Sequence, residues 1–370
     1  MSKRQFPNID ILRFFAACLV MFYHLAVSSW AAAGVQSANI LGGRASFPEL
    51  LPYFWSGFVG VEIFFVISGF VISFSAERSE AFSFARSRVF RLYPAAWICS
   101  TISLVALIYA NIAPPESYLK PYFHSLLLSP KYPWIDSVYW TLGIEISFYA
   151  LIFLVLAVGF WEFKTTIAYV LGSVSAAYWI CGYLVMPQFL ASHLWSRPLE
   201  LSLVPYGCYF ALGMMLFFHA ARGLTSREKI FCGVLAIGAT IEIMFKAEHA
   251  NRVFHSAQSN WVPVAIFVIF VALAASALTW QPERKLATCL RQLGLATYPL
   301  YLLHDNAGTV LMSWLLDNLT GYRFLALAVT MVACIATALL IALVLEPPIR
   351  GFLAALWRPR KSRGAVIQDG

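Results

Sequence analysis

The sequence predicts an all-α, polytopic transmembrane helix bundle of about ten helices with both termini in the cytoplasm. Two features of composition and one of charge placement predict it. Of the 370 residues, 60% are hydrophobic and 12% charged, whereas a soluble globular chain runs roughly 45–50% apolar and about 25% charged. Mean hydropathy is +0.72. The lysines and arginines collect in short stretches between apolar runs, where positive charge fixes orientation in a bilayer.

Each span rests on an apolar run of about 17 residues or more. In chain order the runs cover 10–29, 55–75, 94–112, 139–160, 165–185, 201–220, 229–246, 261–280, 294–316 and 323–345. The first contains ILRFFAACLVMFYHL (Ile11 to Leu25). It would pass for a secretion signal ending at Ala31, Ala32 and Ala33, but Arg13 and His24 inside the run argue against cleavage. The second holds GVEIFFVISGF (Gly60 to Phe70), the third starts at Pro94, and the fourth opens with SVYWTLGIEISFY (Ser137 to Tyr149). The fifth follows a very short loop, the sixth and eighth lack Asp, Glu, Lys and Arg, and the seventh carries Glu242. The ninth contains YPLYLLHDN (Tyr298 to Asn306) and the tenth stops before Glu346. Residues 1–346 are therefore read as one membrane-embedded domain and residues 347–370 as a basic cytoplasmic tail.

With the N-terminus inside, all but seven of the 26 lysines and arginines fall on the cytoplasmic side, the exceptions being Arg44, Lys120, Lys131, Arg197, Lys246, Arg252 and Arg323. That asymmetry follows the positive-inside rule. The net charge of +8 is therefore a topology signal; no basic stripe with interleaved aromatics accompanies it, and nucleic acid is not an expected partner. The seven cysteines are scattered and form no C-x-x-C pair, so neither a disulfide framework nor a metal site is expected.

A charged side chain at the centre of a membrane helix costs about 2.5–3.5 kcal/mol on insertion scales, so intramembrane polar residues point to a site. Arg13 and His24 are eleven residues apart, about three helical turns and roughly 16 Å of rise, which puts them on one face. Asp10 falls on the same stripe. By the same geometry His24 lies roughly 9 Å below the outer surface of the hydrocarbon core, and Glu145 reaches about the same level from outside. Glu62 comes to a comparable height, with His304 nearer the midplane. Four ionisable residues on four helices are thus expected to converge in the outer half of the bundle. On the cytoplasmic side, FARSRVFRLYP (Phe84 to Pro94) brings Arg86, Arg88 and Arg91 together. They serve as topology determinants or as a clamp for a polyphosphate, to which the guanidinium fork is suited.

These motifs in combination resemble the acyltransferase 3 family: Arg13 and His24 separated by ten residues, Gly60 to Phe70, Arg88 and Arg91 before Pro94, Trp140 to Glu145, and Tyr298 to His304. The resemblance implies an integral membrane O-acyltransferase of the cell inner membrane. Such an enzyme moves an acyl group, commonly acetyl, from cytoplasmic acyl-coenzyme A to a hydroxyl of a lipopolysaccharide- or exopolysaccharide-type carbohydrate. It implies that His24 is catalytic, that Arg13 is needed with it, and that Arg88 and Arg91, with Arg86 beside them, hold the donor. On that basis His24 is the expected general base or an acyl-carrying nucleophile. Glu145 is the residue expected to orient its ring, and Tyr149, His304 and Asn306 are candidate donors to the oxyanion. Ile146 stands where many members have a second acid. With no appended hydrolase-like domain expected, the acyl group passes directly to the acceptor or to a separate glycan-assembly protein. Buried acids and histidines also mark proton relays, so a proton-coupled transporter or flippase of a glycan precursor is the rival reading.

Overall fold

A computed structural model of the protein describes residues 6–188, 190, 196–276, 278 and 280–357. Among these, the regular elements are helices. The principal ones are α1 (Pro7–Ala31), α2 (Gln36–Leu41), α3 (Leu51–Ala76), α4 (Ala81–Ala110), α5 (Leu119–Leu126), α6 (Ser137–Ala157) and α7 (Phe160–Val185). They continue with α8 (Arg197–Leu201), α9 (Gly207–Arg222), α10 (Ser226–Val253), α11 (Trp261–Ser276), α12 (Arg284–Leu303), α13 (Asn306–Asn318) and α14 (Arg323–Leu356). Helix overlies each of the ten predicted runs, and seven of the helices (α1, α3, α4, α6, α7, α10 and α14) are long and apolar enough to cross a membrane. The protein is an all-α polytopic membrane protein.

Several helix boundaries differ from expectation. Helix α4 begins at Ala81 and carries Pro94 in its interior, so Arg86, Arg88 and Arg91 lie on a helix rather than in a connection. The ninth run is two helices, α12 and α13, which meet at His304 and Asp305. Helix α10 runs on to Val253, about two turns beyond the predicted end at Lys246. The predicted boundary after residue 346 falls inside α14, and residues 358–370 of the predicted tail lie outside the described residues.

Helix α1 is the inner post of the bundle, packed against α3 and α12, while α3 packs in turn against α9. Lipid tails are as apolar as leucine, so contact between membrane helices depends on close approach of backbones. At the crossing of α3 and α9 that approach is made by Gly69 and Gly213. A Cβ at Gly69 would strike the Phe210 carbonyl, and one at Gly213 the Val66 carbonyl. The polar residues of α1 and α3 are held inward by these contacts, with Glu62 fully buried and His24 half-buried.

Candidate active site

Helix α1 does not stay α-helical to its end. Residues His24–Ser28 form a π-helical turn, a local widening often found at functional sites. The turn presents the His24 ring to α12, where His304 ends the helix. His24 Nδ1 lies 2.7 Å from His304 Nε2, and the two rings stack at 4.9 Å with 22° between planes. His304 Nδ1 in turn sits 3.0 Å from the Leu300 carbonyl oxygen.

That chain fixes the tautomers. A carbonyl only accepts, so Nδ1 of His304 carries a hydrogen, and in the neutral ring its Nε2 is an acceptor. His24 therefore donates from Nδ1, which leaves its Nε2 with a free lone pair. The network sets the assignment, and its product is an imidazole base with one nitrogen anchored and the other available.

His24 borders a cavity of about 330 Å³, lined also by Ser28, Glu62, Trp140, Lys246 and Tyr301 among others. Its wall holds a buried ion cluster. The Lys246 ammonium pairs with Glu62 and, at 2.6 Å, with Glu242 of its own helix. Tyr209 donates to Glu242 at 2.5 Å, and Lys246 stands 4.9 Å from the centre of the Tyr206 ring. Charges removed from water survive only when paired and hydrogen-bonded, and here each partner answers another.

A second, smaller cavity of about 50 Å³ is lined by Arg13, Phe64, Ser68, Glu145, Thr297 and Tyr298 among others. Arg13 precedes His24 by three turns, so this cavity lies nearer the N-terminal end of α1. Glu145 accepts from Ser68 at 2.8 Å and from the Tyr149 hydroxyl. Arg88 donates to Ser75 at 3.1 Å and stands 5.9 Å from the centre of the Tyr149 ring. Asp10 lies within the field of Arg13, Arg91 and Arg291 and packs against Gly294 of α12. Arg86 is exposed. Val61 and Tyr301 line both cavities and form the partition between them.

The predicted site residues thus fall into two groups. His24 and Glu62 line the larger cavity, with His304 buried behind His24 and bonded to it; Arg13, Glu145, Tyr149, Arg88, Arg91 and Asp10 gather below it. The His24 ring is bonded to His304 and not to Glu145, whose Oε1 is engaged by Ser68 and Tyr149. Asn306 faces neither cavity: its side-chain amide donates to Gln36 and to the Ile135 carbonyl, and its backbone N–H to Asp136. Lys246, Glu242, Tyr209 and Tyr301 were not anticipated. The one available signal was Glu242 and Lys246 four residues apart, on one face of an apolar helix.

Comparison with known proteins decides what kind of site this is. The family model described as "Acyltransferase domain" matches residues 6–345. The chain belongs to the acyltransferase 3 family. A relative of this acyltransferase, Nodulation protein 10 of Rhizobium leguminosarum bv. viciae, is 27% identical over 325 residues, covering 80% of this chain and 81% of that protein. No solved structure matches the chain. Among the described residues no group of three or more His, Cys, Asp or Glu is arranged to hold a metal ion.

Proposed function

We propose that this membrane acyltransferase transfers an acetyl group from acyl-coenzyme A to a hydroxyl of a carbohydrate acceptor, with His24 Nε2 as general base. The observation that carries the reading is the pair of cavities meeting at Val61 and Tyr301. One has a cationic rim, the other a histidine base. Arg88 and Arg91, on the first turns of α4, dock the phosphates of coenzyme A, for which charge-assisted guanidinium contacts are suited. The positive-inside distribution makes that side cytoplasmic, and the protein is assigned to the inner membrane. The thioester arm reaches past Arg13 and Glu145 to the partition.

The sugar hydroxyl enters the larger cavity from the opposite side. Nε2 of His24 removes its proton as the oxygen attacks the thioester carbonyl. The C–S bond then breaks, the coenzyme A sulfur takes the proton back from His24, and an ester leaves on the sugar. His304 keeps its acceptor on Nδ1–H throughout, so the ring does not turn. Tyr301 borders both cavities and is the best-placed hydroxyl to face the oxyanion. The carrier reading loses ground to family membership and to the arginines grouped at one end of the helices.

Two measurements test this. Mass spectrometry of surface glycans from cells with and without the protein is expected to show a difference of one acetyl substituent. Purified wild type and His24→Ala are both expected to bind acetyl-coenzyme A, with transfer lost only in the variant. Binding of acetyl-coenzyme A by neither protein would defeat the donor assignment.

A further inference from the structure

Outside the two cavities a third concavity opens, about 290 Å³ in volume, lined by Tyr132, Trp134, Trp140, Arg197 and Glu200. Tyr132 and Trp134 come from the connection between α5 and α6, Trp140 from the first turns of α6, and the charged pair from α8. Trp140 is a wall of this cleft and of the His24 cavity alike.

The aromatic residues are fixed in place. Trp134 donates its indole N–H to the Ser129 carbonyl at 2.7 Å, and Tyr132 meets it edge-on at 6.0 Å. Arg197 lies 5.1 Å from the centre of the Trp134 ring and donates to the Pro130 carbonyl at 2.6 Å. It also donates to Glu200 at 2.9 Å, and Glu200 is 5% exposed. One feature remains unspent: Tyr132 is 78% exposed, whereas Nη2 of Arg197 is sealed against Gly143 of α6.

Tyrosine and tryptophan are also enriched in the aromatic belt at a membrane surface. A belt, however, needs neither a concave arrangement nor a buried arginine–glutamate pair. A pyranose ring supplies what the cleft lacks: a flat C–H face for the aromatic rings, and hydroxyls that both donate and accept. The volume lies at the small end of the usual range for ligand pockets, roughly 300–1,000 Å³, enough for one sugar residue. One cation and one anion in the cleft balance each other, which favours an uncharged sugar.

We infer that this cleft is a second acceptor subsite, seating the neutral sugar residue next to the one acylated at His24. The inference rests on the proposed function, and it makes the acceptor an oligosaccharide bound through at least two residues. Tyr132 and Trp134 then set acceptor length, with Arg197 and Glu200 reading hydroxyls.

The probe is the glycan that gains acetyl mass in cells carrying the protein, de-acylated with base and cut to one, two and three sugar residues. Transfer from acetyl-coenzyme A is followed with the full chain in nanodiscs. Wild type is expected to use the two-residue fragment with kcat/KM at least tenfold above the single residue, the gain lying in KM. Tyr132→Ala and Trp134→Ala are expected to erase that gain while keeping the single-residue rate. A gain that survives in both variants, or fragments used alike by wild type at every length, would overturn the subsite. Tyr132 decides if Trp134→Ala fails to fold, because an exposed side chain is removed at little cost to the fold. Absence of any acetylated glycan would instead sink the proposed function itself.

Discussion

His24 and His304, 280 residues apart in the chain, share a hydrogen bond of 2.7 Å between Nδ1 of the first and Nε2 of the second. On the proposed reaction this bond makes His304 a positioning residue for the base. Replacing it by leucine is expected to lower kcat by about 10²-fold or more, within the span attributed to general acid–base groups. The affinity for acetyl-coenzyme A is expected to stay unchanged. His304→Gln keeps an acceptor for the Nδ1 hydrogen and is expected to retain more activity than His304→Leu. Equal losses in the two variants, measured by single-turnover transfer, would rule out the positioning role.

The Lys246 ammonium between Glu62 and Glu242 makes a stability prediction that does not depend on the reaction. Lys246→Met leaves two carboxylates facing each other out of water, and breaking such a buried pair costs about 3–5 kcal/mol. The melting temperature in detergent is expected to fall clearly. The double variant Glu62→Gln, Lys246→Met removes one acid with the cation and is expected to recover most of the loss. A double variant as unstable as the single one would contradict the pairing.

Tyr301 separates the two cavities, which on the proposed reaction keeps the thioester from water until an acceptor arrives. Tyr301→Ala is expected to raise acetyl-coenzyme A hydrolysis in the absence of glycan and to lower transfer in its presence. Free thiol release, followed colorimetrically with and without acceptor, measures both. Unaltered hydrolysis would remove the partition from the mechanism.

Gly69 and Gly213 let α3 and α9 cross backbone to backbone. Gly69→Leu cannot be absorbed by a side-chain shift, since the obstacle is the Phe210 carbonyl. Overpacking of this kind typically costs about 1–3 kcal/mol. A lower melting temperature is expected for Gly69→Leu and none for leucine at Gly233, whose Cβ would meet open space.

The ten apolar runs were readable because hydrophobic length is a local property, and Arg13, His24, Glu62 and Glu145 stood out because a polar residue inside such a run is anomalous. What the sequence could not supply was which of these atoms meet. Glu145 was placed at the height of His24 by counting residues, yet its carboxylate is taken by Ser68 and Tyr149, because rotation about the α6 axis and the neighbouring helices decide its partner. His304 reaches His24 because the helix breaks directly after it; an uninterrupted ninth helix hid that. Lys246 was placed at the outer end of the seventh span, whereas α10 continues to Val253 with the cation paired inside. Pro94 marked a helix start in the sequence and lies well inside α4 in the structure. Proline frees one carbonyl but does not forbid a membrane helix whose surroundings tolerate it.

The π-helical turn at His24–Ser28 also governs how the larger cavity is walled. In a regular α-helix, residues four apart drift round the axis by about 40°, so His24, Ser28 and Ala32 would fan progressively away from one another. An i→i+5 turn holds more residues per revolution and takes up part of that drift, and all three side chains line one cavity. The extra residue in the turn is thus a spacer between His24 and Ser28 along the cavity wall. The length of the chain from Leu25 to Val27 is constrained even though none of these three residues lines either cavity.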